Sequence, residues 1–203
     1  MNADLALKKL IEGNKDYVEA SDKSAEMATE LIRAPVEEGQ NPFAIILGCS
    51  DSRVPVEILF HQGLGDLFVI RVAGNIVAPS QIGSIEYACH NLGTQLVVVL
   101  GHSNCGAVHA TVDSLLQDPG NISPNIASIV DRVSPAVLPV IAKNQDLEQA
   151  ELLQLAMQAN VKYSVKGLEQ RSSILKNLVD QNKLKIVGAE YSLETGKVDF
   201  HLP

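Results

Sequence analysis

Positive charge is in the minority along these 203 residues. Sixteen Lys and Arg stand against 24 Asp and Glu, giving a formal net charge of -8 and a pI near 5.1. An acidic surface repels phosphate backbones, so nucleic acid is not an expected partner. No unbroken apolar stretch approaches the roughly 20 residues a membrane helix needs, and no membrane association is expected. The opening residues, M-N-A-D-L-A-L-K-K-L-I-E-G, set charges inside an apolar pattern and carry no signal-peptide core. Cysteine is scarce as well. Cys49, Cys89 and Cys105 are too few, and odd in number, for a disulfide framework. They suit a reducing, cytoplasmic setting in which thiols serve a metal or catalysis. Internal repeats and low-complexity linkers are lacking too. What remains is an ordinary globular balance, 46% apolar and 20% charged, in a chain long enough for one domain with a sizeable core.

A single domain over 1–203 is expected, with N-terminal helices within 1–35 and an α/β core from 43 onward. Leu7, Leu10, Ile11, Asn14 and Tyr17 recur at helical spacing, and S-A-E-M-A-T-E-L-I-R-A reads as a second helix before Pro35. The period then changes. Phe43–Leu47, Leu67–Val72 and Leu96–Leu100 are short apolar runs rich in Ile and Val, suited to strands buried on both faces of a parallel sheet. Between the second and third runs, Ile82, Ile85, Cys89 and Leu92 form one helical face, with Gly93 as its C-cap. Another helix is expected from Cys105. Ser123-Pro124 and Ser134-Pro135 each read as an N-cap followed by proline at the first helical position. One long helical segment covers roughly 147–182, and K-I-V-G-A-E-Y-S and K-V-D-F-H-L flank a hairpin at L-E-T-G. The fold class is α/β: a mostly parallel sheet flanked by helices, extended by a C-terminal hairpin.

Functional groups in an open parallel sheet gather beyond the carboxyl ends of its strands. The first run ends in C-S-D-S-R, with Cys49, Asp51 and Arg53 spaced two apart; the third ends in G-H-S-N-C-G-A-V, with His102 and Cys105. Two sulphurs and an imidazole are ligands that zinc prefers, and a Cys₂His set leaves a fourth tetrahedral position open. A cysteine at the end of one buried strand is more often a small core residue, and H-x-x-C alone is a weak motif; the two together favour a metal. His109, one helical turn from Cys105, is a competing ligand, and His102 is preferred because the strand-end turn points it toward Cys49. Asp51 either reaches the metal and closes it to water, or accepts a bidentate pair from Arg53 and orients a water there. Two thiolates and a neutral imidazole cancel the charge of Zn²⁺. Bound water should therefore be less acidic than the value of about 7 known for three-histidine sites, and activity should rise with pH.

These paired motifs resemble those of the β-class carbonic anhydrases. The resemblance extends through the N-terminal helices, D-L-F-V-I-R-V-A-G-N, I-E-Y-A and the terminal G-A-E-Y hairpin. It implies one Zn²⁺ per chain on Cys49, His102 and Cys105, with Asp51 and Arg53 as a catalytic dyad. The implied reaction is reversible hydration of CO₂ to bicarbonate and a proton by attack of zinc-bound hydroxide. It also implies self-association as a dimer or tetramer, with sites built at dimer interfaces. Gln40 matches a glutamine of the plant-like subgroup, Phe68 and Tyr87 match aromatic residues of its pocket, Ala73 stands where valine is usual, and Gly106 matches a glycine whose amide can contact substrate. A second subgroup carries a regulatory bicarbonate site with a tryptophan at the position of Ile46; this chain has no tryptophan, although Arg71 and Tyr191 match the rest. An open site without a bicarbonate switch is therefore expected. A CS₂ or COS hydrolase on the same scaffold, a silent zinc-binding scaffold and a thiol redox protein are the rival readings; the last lacks C-x-x-C. Cys89 is expected to be a core thiol, and His61, His109 and His201 to be structural or exposed.

Overall fold

The computed structural model describes residues 1–20, 39–117 and 122–201. The expected helix at S-A-E-M-A-T-E-L-I-R-A lies outside them. Helix α1 (Ala3–Glu19) opens on Asn2, whose side chain accepts the Leu5 N–H at 2.9 Å. Strand β1 (Ala44–Gly48) follows, then the short helix α2 (Val56–Leu59), strand β2 (Leu67–Arg71) and a 3₁₀ turn at Ala73–Asn75. Next come α3 (Pro79–Asn91), β3 (Leu96–His102), α4 (Gly106–Leu116), α5 (Pro124–Lys143), α6 (Gln149–Arg171), α7 (Ser173–Asp180) and the hairpin β4 (Lys185–Tyr191) and β5 (Val198–His201).

The strands form one sheet in the order β2-β1-β3-β4-β5, parallel except for β5. Every residue of β1 and β3 is buried, which is why both read as unbroken aliphatic runs. Alternate residues face opposite cores. Ile45, Leu47, Val97 and Val99 pack with α3 to α7, whereas Ala44, Ile46, Val98 and Leu100 pack with α1 and α2. The chain leaves β1 toward β2 and then crosses back to β3, so the carboxyl ends of β1 and β3 flank the point where strand order reverses. Such a point opens a crevice.

Three local expectations are corrected. Ser134-Pro135 does not start a helix; it lies inside α5, with Pro139 one turn beyond. An interior proline costs about 3 kcal/mol, here offset by burial of Val130, Val133, Ala136 and Val137, while Ser134 Oγ donates to the Val130 carbonyl at 2.7 Å. The helical segment over 147–182 is two helices. Ser172 is extended (φ -130°, ψ 109°), its Oγ accepts the Leu175 N–H that starts α7, and it donates to Glu86 on α3. Lastly, α5 does have the length and apolarity of a membrane span, although its buried valines pack it into this core.

The hairpin is tied back to the first helix. Buried Asn14 donates to the carbonyls of Leu59 (3.1 Å) and Gly196 (2.9 Å), and its Oδ1 accepts the Val198 N–H at 2.8 Å. Gly13 beside it is packed so closely that a Cβ would sit 1.9 Å from the Phe60 carbonyl oxygen.

Candidate metal centre

Cys49 follows the last residue of β1, His102 ends β3, and Cys105 is the N-cap of α4. The two-residue turn between His102 and Cys105 is possible because Asn104 adopts φ +54°, a backbone region in which asparagine is enriched. One donor atom from each of Cys49, His102 and Cys105 lies within 4.8 Å of the others, and the residues are 5%, 0% and 2% exposed. The two sulphurs are 3.9 Å apart. Two zinc–sulphur bonds of about 2.3 Å at a tetrahedral angle would span about 3.8 Å.

The imidazole is set to give its lone pair inward. His102 Nδ1 lies 2.9 Å from the Ser103 carbonyl, which can only accept, so Nδ1 carries the proton. Nε2 is left buried without a hydrogen-bond partner among the described residues. A buried orphan of this kind is costly unless something binds it. The thiols are equally unsettled as a pair. The Cys105 side chain, with help from His102 and the Gly74 N–H, pulls Cys49 below the ordinary thiol range against the effect of burial. Its hydrogen bond to Cys49, together with burial, pushes Cys105 far above that range. As they stand, one sulphur keeps its proton and shares it with the other; both could be thiolates this close only with a cation between them. A soft divalent metal therefore fits this donor set.

Asp51 stands at the rim. Its Oδ1 accepts the Arg53 N–H and Nε–H, each at 2.9 Å, and its Oδ2 accepts Arg53 Nη2 at 2.7 Å. The Arg53 guanidinium holds the Asp51 carboxyl well below the usual carboxylate range. Oδ1 is saturated by two donors; Oδ2 keeps one lone pair and lies 3.9 Å from His102 Nε2. Arg53 Nη2 also donates to the Asn104 carbonyl at 3.3 Å, cross-linking the two strand-end motifs.

The remaining predicted residues fall into two groups. Gly106 is the exposed first residue of α4, and Ala73 opens the 3₁₀ turn whose next residue, Gly74, donates its N–H to Cys49 Sγ at 3.4 Å. Phe68 on β2 and Tyr87 on α3 meet ring to ring at 6.2 Å, with Tyr87 half exposed. Gln40 is exposed, and no hydrogen bond joins these three to the Cys–His–Cys group. His109 is outside the Cys–His–Cys group: it lines a cavity of about 330 Å³ shared with Cys105, Glu190, Tyr191 and Asp199. His201 pairs with Glu190 at 2.6 Å, and Cys89 is half-buried with its pKa pushed up to about 12 by burial. Sequence reasoning missed the role of Arg71, which donates through Nε to the Cys49 carbonyl at 3.0 Å and through Nη2 to that of Asp51. It also missed Gly74, whose only signal was the A-G-N triplet after an apolar run.

Three comparisons bear on this geometry. A family model described as Carbonic anhydrase matches residues 44–198. Carbonic anhydrase 2 of Mycobacterium tuberculosis is 38% identical over 194 residues, covering 95% of this chain and 89% of that protein. Among solved structures, the β-carbonic anhydrase CcaA superimposes with a TM-score of 0.73 at 28% identity, covering 97% of this chain and 92% of that one. A tetrameric β-carbonic anhydrase of Sordaria macrospora does so at 0.73 and 25%, covering 92% and 96%.

Proposed function

Because this chain belongs to the β-class carbonic anhydrases, we propose that it carries out the family's reaction on zinc held by Cys49, His102 and Cys105. It catalyses the reversible hydration of CO₂ to bicarbonate and a proton. Zinc, when bound, supplies the Lewis acidity that makes water a nucleophile near neutral pH. The observation that carries the ligand set is His102 Nε2: buried, orphaned, and grouped with two sulphurs 3.9 Å apart.

The chain's own groups supply the rest. Asp51 is kept ionised by Arg53, so it accepts but does not donate. The free lone pair of Oδ2 takes a hydrogen bond from the attacking water and fixes its direction. Because Arg53 donates to both oxygens, Asp51 is held as a pair with arginine, which would leave a metal on Cys49, His102 and Cys105 a position for solvent. The Gly106 N–H, at the start of α4, supports charge that develops on the substrate oxygens. By likeness to the plant-like subgroup, Ala73, Phe68, Tyr87 and Gln40 would line the substrate pocket, with Gln40 its amide donor. Half-exposed Tyr87 beside Phe68 offers an aromatic surface for self-association, as a dimer or tetramer. No bicarbonate switch is expected, since Ile46 is a fully buried aliphatic and Arg71 is spent on two backbone carbonyls. We place the chain in the cytoplasm as a single domain.

Stopped-flow CO₂ hydration with metal analysis tests this reading. Native protein is expected to hold one zinc per chain and to gain activity as pH rises. An inert, zinc-loaded native chain at about pH 8–9, above the acidity of metal-bound water, would sink it. Retention of zinc by Cys105→Ala with its loss from His109→Ala would overturn the ligand set.

A further inference from the structure

The turn after β2 runs through two successive left-handed residues. Gly74 sits at φ +70° and Asn75, which has a side chain, at φ +43°. Glycine and asparagine accept this region, which leaves the orientation of the turn to be set by contacts from elsewhere. The restraint comes from α6, more than 80 residues later in the chain. Asn160 Nδ2 donates to the Gly74 carbonyl at 2.8 Å, and one helical turn on, Ser164 Oγ donates to the Asn75 carbonyl at 3.2 Å. These side chains are only 1% and 2% exposed, on a helix that otherwise presents Ala156, Val161 and Leu168 to the core. Asn160 Oδ1 meanwhile finds no partner among the described residues. An apolar side chain would fill the place without that unmet acceptor, so the donor is what this position needs. On the opposite side of the same turn, the Gly74 N–H reaches Cys49 Sγ at 3.4 Å.

We infer that Asn160, seconded by Ser164, is a positioning residue for the metal thiolate. By gripping the peptide after Gly74 it aims the Gly74 N–H at Cys49 Sγ and sets how much electron density that sulphur gives a bound metal. A hydrogen bond to a thiolate draws charge away from it and fixes its direction; outer partners of metal ligands act in this way. The inference rests on the ligand set proposed above.

Cobalt-substituted protein tests it, because the thiolate-to-cobalt charge-transfer band reads sulphur donation directly, and chelator competition gives the metal dissociation constant. Asn160→Ala is expected to weaken zinc binding by about tenfold to a hundredfold and to move the band to lower energy. Ser164→Ala, the milder change, moves both the same way by less and serves if the first variant folds poorly. Leu168→Ala, fully buried on the same helix, should lower the melting temperature while leaving affinity and band where they were. Native affinity and an unmoved band in both Asn160→Ala and Ser164→Ala would overturn the inference, as would equal changes in Leu168→Ala. Cys49→Ala separates the two readings. A weakened or lost band there, with Asn160→Ala and Ser164→Ala native, removes the clamp alone; a native band in Cys49→Ala removes the ligand set and the clamp together.

Discussion

Replacing Arg53 by lysine keeps a positive charge beside Asp51 and removes the fork. In the native chain, Nε and Nη2 hold the two carboxylate oxygens at 2.9 and 2.7 Å, and Nη2 reaches across to the Asn104 carbonyl at 3.3 Å. An ammonium group can make one of these contacts in line. A charge-assisted hydrogen bond is worth about 1.5–3 kcal/mol when well shielded. The Arg53 side chain is exposed, so for stability the loss should be largely screened by solvent and the melting temperature should move little. The reaction should suffer more. Oδ2 must hold one direction toward the attacking water, and a carboxylate secured at one point swings. A loss of about 1.4–2.8 kcal/mol in the transition state is about ten- to a hundredfold in kcat/KM. Stopped-flow CO₂ hydration by Arg53→Lys, beside metal analysis, measures this with zinc content expected to stay at the native level. Native kcat/KM would refute the reasoning. So would a fall matched by equal loss of zinc, which would make Arg53 a brace for the strand-end turn and not a partner of Asp51 in the reaction.

Gly13→Ala should cost at least about 2 kcal/mol, because its Cβ would meet the backbone carbonyl of Phe60 at 1.9 Å and backbone does not give way as a side chain would; a melting temperature within about 2 °C of native would show that α1 shifts freely. Cys89, with its pKa pushed up to about 12 by burial and by Glu86, should be alkylated at about pH 8 more than about a hundredfold more slowly than a free thiol of pKa about 8.5, and a rate near that of free thiol would contradict its burial. The same shift carries a sign for stability. The folded thiol keeps its proton while the unfolded one loses it, so stability should decline as pH rises above about 8.5. Chelation should lower the melting temperature, and zinc at about a hundred times its dissociation constant should return about 2.7 kcal/mol. Magnesium should not, since it demands oxygen ligands, and equal rescue by magnesium would exclude the thiol–imidazole site.

The strands and the metal group were legible for one physical reason. β1 and β3 are buried on both faces, so their residues had to be aliphatic, and Cys49, His102 and Cys105 interrupt that rule where a parallel sheet exposes its strand ends. Ser134-Pro135 misled because a serine before a proline has the same local chemistry at a helix start and inside a helix; only the buried valines around it decide. The break at Ser172 depends on Glu86, 86 positions earlier, and the hold on Gly74 depends on Asn160, 86 positions later. Contacts at such separation leave no local pattern. Gln40, Phe68 and Tyr87 were assigned by family likeness alone; in one chain Gln40 and Tyr87 are exposed and Phe68 is half-buried against the core, settings about which composition and spacing are silent.

The amide of Asn14 has a bearing on synthesis. Its two hydrogen bonds to the β4–β5 hairpin join residues 182 and 184 positions apart, so this anchorage of α1 cannot form until Val198 has left the ribosome. At about 5–20 residues per second that interval is about 10–40 s, during which Leu7 and Leu10 wait for a complete hydrophobic seat. A ribosome that stalls before Val198 leaves α1 held at Leu59 and Phe60 but with the Asn14 amide oxygen unmet.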